Sequence, residues 1–210
     1  MNPEHTTGPL FSADLLIKEA LMMDFSQLLE KRRSIRRFLD KDVSLELVME
    51  IIQDACMAPS AVNGQPWEFI VIRNRALIKR LSDESKANLI AEIEKNPDCP
   101  AVKYESILRN PDFNVFYNAP CLVLIAGPRD LHSLEVDCAL AACYFMLSAA
   151  ERGLGTCWIG LGAYISDPIL IDAIGLPDSS AIVAPVILGY PETVPPVPAR
   201  NLPKILKVVS

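Results

Sequence analysis

Four short β-forming segments, spaced irregularly among stretches of helical periodicity, constrain the fold of this chain most. The segments are rich in β-branched, aromatic and other apolar side chains and occupy residues 67–72, 121–126, 156–159 and 181–188. Helical periodicity is found at residues 25–31, 45–57, 77–95, 135–152 and 167–174. Because helices and strands do not alternate strictly, the pattern predicts an α+β fold, a mixed β-sheet flanked by helices, rather than a doubly wound fold.

The charge of the chain argues against a polyanionic partner. Its formal net charge is −6, whereas nucleic-acid-binding domains usually carry a basic surplus. The longest apolar stretch, near residues 139–150, is shorter than the roughly 18 residues of a membrane span. The first 23 residues lack the basic start and continuous apolar core of a signal peptide. We expect a cytoplasmic protein that binds neither nucleic acid nor membrane.

One domain accounts for most of the chain, because 210 residues, 50% of them hydrophobic, suffice for one core. We place this domain at residues 25–210 and an N-terminal extension, with a helix-like stretch at 13–22, at residues 1–24. The extension is compatible with an interaction arm, a frayed tail or an over-extended gene start. Six cysteines and two histidines show no zinc-ligand spacing, which predicts buried thiols and no metal site.

The helix predicted at residues 135–152 is apolar on nearly every side. Such a helix must be buried on several sides, against a core and against a second subunit. The sequence therefore predicts a dimer.

A cluster of five cations lies within residues 31–37. Arginine presents planar forks of donors and keeps its charge, so Arg32, Arg33 and Arg36 with the Ser34 hydroxyl form a candidate site for a phosphate and a ring edge. A solvated basic helix end explains the same pattern, since cations stabilise a helix C-terminus.

A second polar cluster, formed by Ser60, Asn63 and Gln65, precedes the first strand. Closely spaced donors and acceptors can pair with the edge of a planar heterocycle, although an ordinary polar loop has the same composition. Trp67 begins the apolar strand and is predicted to be a core residue.

Other kinds of site have weaker support. No Gly-x-Gly-x-x-Gly motif follows a strand, and residues 153–155 are better interpreted as a helix cap. Only His5 and His132 are available for a catalytic triad, and Cys157 on a buried strand is predicted to be inert.

Taken together, the segments at residues 32–38 and 58–69 resemble the paired signature of the nitroreductase family of FMN-dependent oxidoreductases. Further segments that fall in the family's order are residues 116–120, 153–160 and 188–191, followed by Arg200. The resemblance covers about residues 25–207. It implies an intertwined homodimer with FMN at the subunit interface and a variable lid between residues 82 and 118.

The resemblance also implies roles for individual residues on the cofactor. Arg32, Arg33 and Ser34 would hold the FMN phosphate and ribityl oxygens, and Arg200 would close over the phosphate. Arg36 would approach N1 and O2 of the flavin, where a cation stabilises the reduced ring.

The remaining cofactor contacts are expected from two other segments. Pro59, Ser60, Ala61 and Asn63 would reach the flavin from the partner subunit, and Gln65 is a further expected cofactor contact. The strand end formed by Trp158, Ile159 and Gly160 would pass the flavin ring.

The backbone N–H near Gly160 would face flavin N5, so no side chain need be the catalyst. The implied activity is ping-pong transfer of reducing equivalents from NADH or NADPH to nitroaromatics, quinones or similar acceptors. Alternatives on the same scaffold are reductive dehalogenation, flavin breakdown, or a flavin-binding regulatory protein with little turnover.

Overall fold

The computed structural model describes residues 24–209. Its α-helices are α1 (Phe25–Lys31), α2 (Leu45–Ala55), α3 (Arg75–Lys95), α4 (Glu105–Leu108), α5 (Leu134–Glu151) and α6 (Pro168–Ile174). Its strands are β1 (Glu68–Ile72), β2 (Cys121–Pro128), β3 (Gly155–Trp158) and β4 (Ser180–Gly189). Short 3₁₀ turns occupy Ala61–Asn63, Pro100–Tyr104 and Gly160–Gly162. The helix predicted at 13–22 lies outside the described residues.

The four strands form one sheet in the order β1-β2-β4-β3, and every pair is antiparallel. The predicted α+β class is confirmed. The parallel component expected of a mixed sheet is confined, among the described residues, to a single bridge between Ser34 and Thr156. The sequence predicts that β2 ends at residue 126, before Gly127, but the strand continues to Pro128. A bulge after Ile125 keeps it paired, so that Pro128 lies opposite Ser180 on β4.

The sheet is covered by helices on both faces. On β2, Val123 and Ile125 pack with α2 and α5, whereas Leu122 and Leu124 pack with α3, α4 and α6. All four side chains are fully buried, as their unbroken apolar run indicates. Trp67 lies in the first of these layers at 8% exposure, which confirms its prediction as a core residue.

Helix ends follow the local chemistry of the sequence. Ser44 caps α2 as predicted, its hydroxyl accepting from the backbone N–H of Leu47 at 3.2 Å. Gly153, just after α5, takes φ +74°, a left-handed conformation that suits glycine. This turn brings the chain directly from α5 into β3.

The inward face of α3 carries polar side chains that anchor a neighbouring segment. The buried Lys86 donates from Nζ to the carbonyls of Asn110 and Phe113, at 2.7 and 2.8 Å. The fully buried Ser82 hydroxyl accepts from the backbone N–H of Val115 at 3.0 Å. These three bonds fix residues 110–115 against the helix.

The same helix anchors the segment that follows β3. The Ser85 hydroxyl donates to the Leu161 carbonyl, and Asn88 Nδ2 donates to the Tyr164 carbonyl at 2.9 Å. Glu84 Oε1 accepts from the backbone N–H of Ser166 at 2.8 Å. α3 therefore holds two chain segments, 110–115 and 161–166, that belong to different parts of the sequence.

Replacing Lys86 with methionine should destabilise the fold, because two carbonyls lose a charged donor that water cannot readily replace. The expected loss in free energy of unfolding is about 2–3 kcal/mol, measured by urea denaturation. Lys79→Met on the same helix removes only the exposed pair with Asp83 and should cost less than about 0.5 kcal/mol. Equal losses in the two variants would contradict the anchoring role of Lys86.

Candidate active site

The arginine-bearing segment is held against β3 by a close backbone contact. The Ile35 N–H donates to the Thr156 carbonyl at 2.9 Å, and the Ile35 side chain is 3% exposed. A Cβ at Gly155 would lie 2.6 Å from the Ile35 side chain, so the glycine is required for this approach. The contact fixes where the neighbouring arginines emerge.

Alternation along this extended segment divides its side chains between two sides. Arg32, Ser34 and Arg36 all lie close to the Cys157 thiol of β3. Burial raises the pKa of the Cys157 thiol, and the charge of Arg36, the Ser34 side chain and the charge of Arg32 partly oppose that rise. The structure thus brings these three predicted phosphate-binding side chains together.

Arg33 points away from that group. Its side chain, 8% exposed, lines a separate cavity of about 80 Å³ with Gly153, Thr156 and Val194. One terminal nitrogen donates to the Arg32 carbonyl at 2.6 Å, while buried Nε has no partner among residues 24–209.

Arg37 has a different function from its neighbours. Its Nε pairs with Glu192 Oε2 at 2.9 Å, and the Glu192 N–H donates to the Arg37 carbonyl at 3.0 Å. Neither Arg32 nor Arg36 has a carboxylate partner within residues 24–209. Arg37 therefore fixes the start of the C-terminal tail, whereas Arg32 and Arg36 keep their charge available to a ligand.

A cavity of about 310 Å³ opens beside Arg36. The predicted strand-end residues Trp158, Ile159 and Gly160 line it, and the Arg36 guanidinium lies 5.6 Å from the centre of the Tyr117 ring. A Cβ added at Gly160 would meet nothing within 4 Å, so the backbone there faces open space. The cavity combines a cation with flat aromatic walls, which suits a planar ligand with an electron-rich edge.

The second predicted segment, residues 59–65, is a strained loop. Val62, Asn63 and Gln65 take φ values of 47°, 58° and 47°, which only glycine adopts without cost. Each such residue costs on the order of 1 kcal/mol, and strain of this kind accumulates at functional sites. The Gln65 N–H donates to the Ser60 hydroxyl at 3.0 Å, which closes the loop on itself.

This loop is fixed at the start of α5, not at the cavity. The Ala61 N–H donates to Asp137 Oδ1 at 3.0 Å, and Pro59 and Ser60 pack beside His132. The cavity beside Arg36 is lined by no residue of the 59–65 loop. One chain therefore does not assemble the two halves of the predicted site.

Arg200 also lies apart from the other predicted phosphate ligands. It is exposed in the tail at residues 193–209, which form neither helix nor strand. The tail presents apolar side chains to solvent, including Leu202 at 91% and Leu206 at 86% exposure. Within residues 24–209, nothing covers these apolar side chains of the tail.

Sequence reasoning missed several residues that line the cavity. Lys103, Tyr104 and Tyr164 come from segments without a recognisable motif, and Tyr117 lies in the 116–120 segment but had no predicted role. One sequence signal for this part of the structure was present in α3. The polar residues Ser82, Ser85 and Lys86 occupy inward positions, where helical periodicity predicts apolar residues.

The thiols follow their predicted environments only in part. Cys99, Cys121, Cys138 and Cys157 are buried, Cys56 is half-buried and Cys143 is exposed on α5. Burial raises the pKa of Cys121 to about 12 and, with help from Asp137, that of Cys138 to about 11. Thiols so poorly ionised make weak nucleophiles.

Neither a metal centre nor a membrane-spanning helix is found among residues 24–209. Residues 24–209 contain no group of three or more side chains placed to hold a metal ion. Over the same range, no helix has the length and apolar character needed to cross a bilayer.

The chain is similar in sequence to proteins named as nitroreductases and deiodinases. A provisionally named NADH dehydrogenase/NAD(P)H nitroreductase of Archaeoglobus fulgidus is 29% identical over 178 residues, covering 81% of this chain and 87% of that protein. Iodotyrosine deiodinase 1 of Sus scrofa is 26% identical over 204 residues, covering 89% of this chain and 68% of that protein.

The same relationship is seen in solved structures. A nitroreductase with bound FMN from Desulfitobacterium hafniense matches with a TM-score of 0.75 and 26% identity, covering 89% of this chain and 100% of that one. The family model described as the nitroreductase family matches residues 29–190. With most of its length matched and its fold shared, this chain belongs to the nitroreductase family.

Proposed function

We propose that the protein is an FMN-dependent oxidoreductase that carries reducing equivalents from NADH or NADPH to nitroaromatics, quinones or similar electron-poor acceptors. The observation that carries the proposal is that Arg32, Ser34 and Arg36 all act on the Cys157 thiol, while Arg36 also lines the cavity together with Trp158 and Gly160. Family membership and the FMN-bound relative support the same cofactor.

The residues present fit FMN. Arg32 and the Ser34 hydroxyl supply charge and a donor for the phosphate and ribityl oxygens. Neither Arg32 nor Arg36 is paired with a carboxylate of residues 24–209. Arg36, stacked near Tyr117, would hold the pyrimidine edge of the ring. Gly160 offers backbone and open space where N5 would lie.

Arg33 has a modified role in this proposal. Because its side chain faces the small cavity with Val194, it would act on the cofactor through its backbone or through the tail. Its unpaired buried Nε leaves one donor for a group that enters that cavity, such as a chain segment of the partner.

The dimer completes the site in this proposal. The partner's loop equivalent to residues 59–65 would meet Arg36 across the interface, carrying the contacts of Pro59, Ala61, Asn63 and Gln65. Exposed apolar side chains on α5, Val136 at 64% and Tyr144 at 39%, support an interface on this helix. The apolar tail would cover the partner subunit and bring Arg200 to its phosphate.

When bound, FMN would supply two-electron redox chemistry between the nicotinamide and the acceptor. A nitro group that gains two electrons and two protons in this way gives a nitroso group and one molecule of water. The protein would bind both reactants in turn at one cavity, hold the ring against its aromatic walls and stabilise negative charge with Arg36. We expect this chemistry in the cytoplasm.

Reductive dehalogenation is a second candidate, favoured by the similarity to iodotyrosine deiodinase 1. It predicts that the reduced protein removes halide from a halophenol as fast as it reduces a quinone. Quinone turnover without halide release would eliminate it.

The proposal is tested by following the visible spectrum of the purified protein during anaerobic titration with NADH and then NADPH. Flavin absorbance should bleach with at least one donor and return on addition of a quinone or a nitroaromatic. A protein that takes up no FMN, or bound flavin that neither donor reduces, would contradict the proposed function.

Arg32→Ala should weaken FMN binding about 10- to 100-fold, since a charge-assisted bond contributes about 1.5–3 kcal/mol. The dissociation constant can be measured by quenching of flavin fluorescence. Arg37→Ala is the matched control, because it removes the same charge from the same segment but breaks only the Glu192 pair. Similar losses in both variants would show that general charge, and not the position of Arg32, binds the phosphate.

A further inference from the structure

The candidate cavity is positively charged in a way that the cofactor does not explain. Arg36 and Lys103 both line it, and none of the described residues lining it is acidic. Under the proposed function Arg36 is engaged by the flavin edge. Lys103 is then the cation left for whatever binds beside the ring.

Lys103 is left without a carboxylate partner although acidic residues lie nearby. Glu105, two residues along, accepts from Arg109 Nε at 2.8 Å, and Glu94 pairs with the other end of the same guanidinium at 3.1 Å. No carboxylate of residues 24–209 lies within 4.0 Å of Lys103 Nζ. Arg109 thus engages the two local acids and leaves the charge of Lys103 uncompensated.

The ring of Tyr104 fixes the surroundings of that charge. Lys103 Nζ lies 5.0 Å from the centre of the Tyr104 ring, and both residues belong to the turn Pro100–Tyr104. Burial of Ala101 at 9% exposure ties the turn to the core. The cation therefore sits on a short, supported element beside an aromatic face and not at the end of a free loop.

Aromatic side chains dominate the rest of the wall. Tyr117 is held edge-on by Phe113 at 5.7 Å between ring centres, and Trp158 and Tyr164 also line the cavity. Phe113 is in turn fixed by its carbonyl bond to Lys86. Rings held in this way favour flat aromatic ligands by stacking and edge contacts.

Resting on the proposed function, we propose that Lys103 makes the enzyme selective for aromatic acceptors that carry an anionic group, such as a carboxylate, on the ring. The aromatic walls bind the ring, and Lys103 binds the anion at its periphery. The hydroxyls of Tyr104 and Tyr164 add neutral donors that suit the same group. A neutral acceptor of the same shape binds the walls but gains nothing from the lysine.

The test compares 4-nitrobenzoate with 4-nitrobenzamide, which share ring and nitro group but differ in charge. The ratio of their kcat/KM values is measured in the wild type and in Lys103→Gln. The variant should lower the ratio on the order of tenfold, mostly through the KM of the carboxylate. Taking the ratio of ratios removes the intrinsic difference in reactivity between the two acceptors.

Two control variants define the effect. Lys95→Gln removes a charge that is also exposed, at the end of α3 and outside the cavity, and should leave the ratio unchanged. Lys103→Arg keeps the charge and should retain most of the preference. An unchanged ratio in Lys103→Gln, or an equal fall in Lys95→Gln, would overturn the proposal.

A binding measurement separates this inference from the proposed function. Calorimetric titration of the FMN-loaded protein with benzoate and with benzamide needs no turnover. Benzoate should bind more tightly, and the difference should vanish in Lys103→Gln and weaken as salt is raised. Equal affinity for both ligands in the FMN-loaded wild type, or a difference that persists in Lys103→Gln, overturns the selectivity alone. Failure to bind FMN or to accept electrons from NADH or NADPH overturns the proposed function.

Discussion

The site depends on the contact between Ile35 and Gly155 more than on any other single interaction. It places an extended arginine-bearing segment against an edge strand, with one backbone hydrogen bond to Thr156 and a buried isoleucine where any larger residue at 155 would collide. Because side chains alternate along an extended chain, this one contact decides that Arg32, Ser34 and Arg36 emerge together. The hydrophobic core fixes the position of β3, and β3 in turn fixes the segment that carries these side chains.

The opposite side of the cavity depends on α3. A helix that faces a core normally presents apolar residues, yet here Ser82, Ser85 and Lys86 turn inward and satisfy groups from two loops. Buried hydrogen-bonded networks of this kind fix position more strictly than apolar packing, since a displaced partner leaves a polar group unsatisfied. The aromatic walls of the cavity are thereby tied to the same scaffold as the sheet.

Periodicity and capping predicted most elements, because α2, α5 and the strands depend on local patterns that the sequence displays directly. What sequence reasoning could not show was orientation. Neighbouring arginines look alike in a motif, but Arg33 points to another cavity and Arg37 is engaged by Glu192, and both facts depend on residues more than a hundred positions away. Lys103 was missed for the same reason: its free charge follows from how Arg109 pairs, not from any spacing.

We propose that the cavity beside Arg36 and the loop at residues 59–65 meet only across two subunits. Mixed dimers test it directly: Arg32→Ala and Asn63→Ala subunits, each impaired in FMN binding alone, are refolded together and their tight FMN sites counted. Each mixed dimer should regain one intact site, built from Arg32 of one subunit and the loop of the other. A mixture that binds no more FMN than its separate components would contradict the shared site.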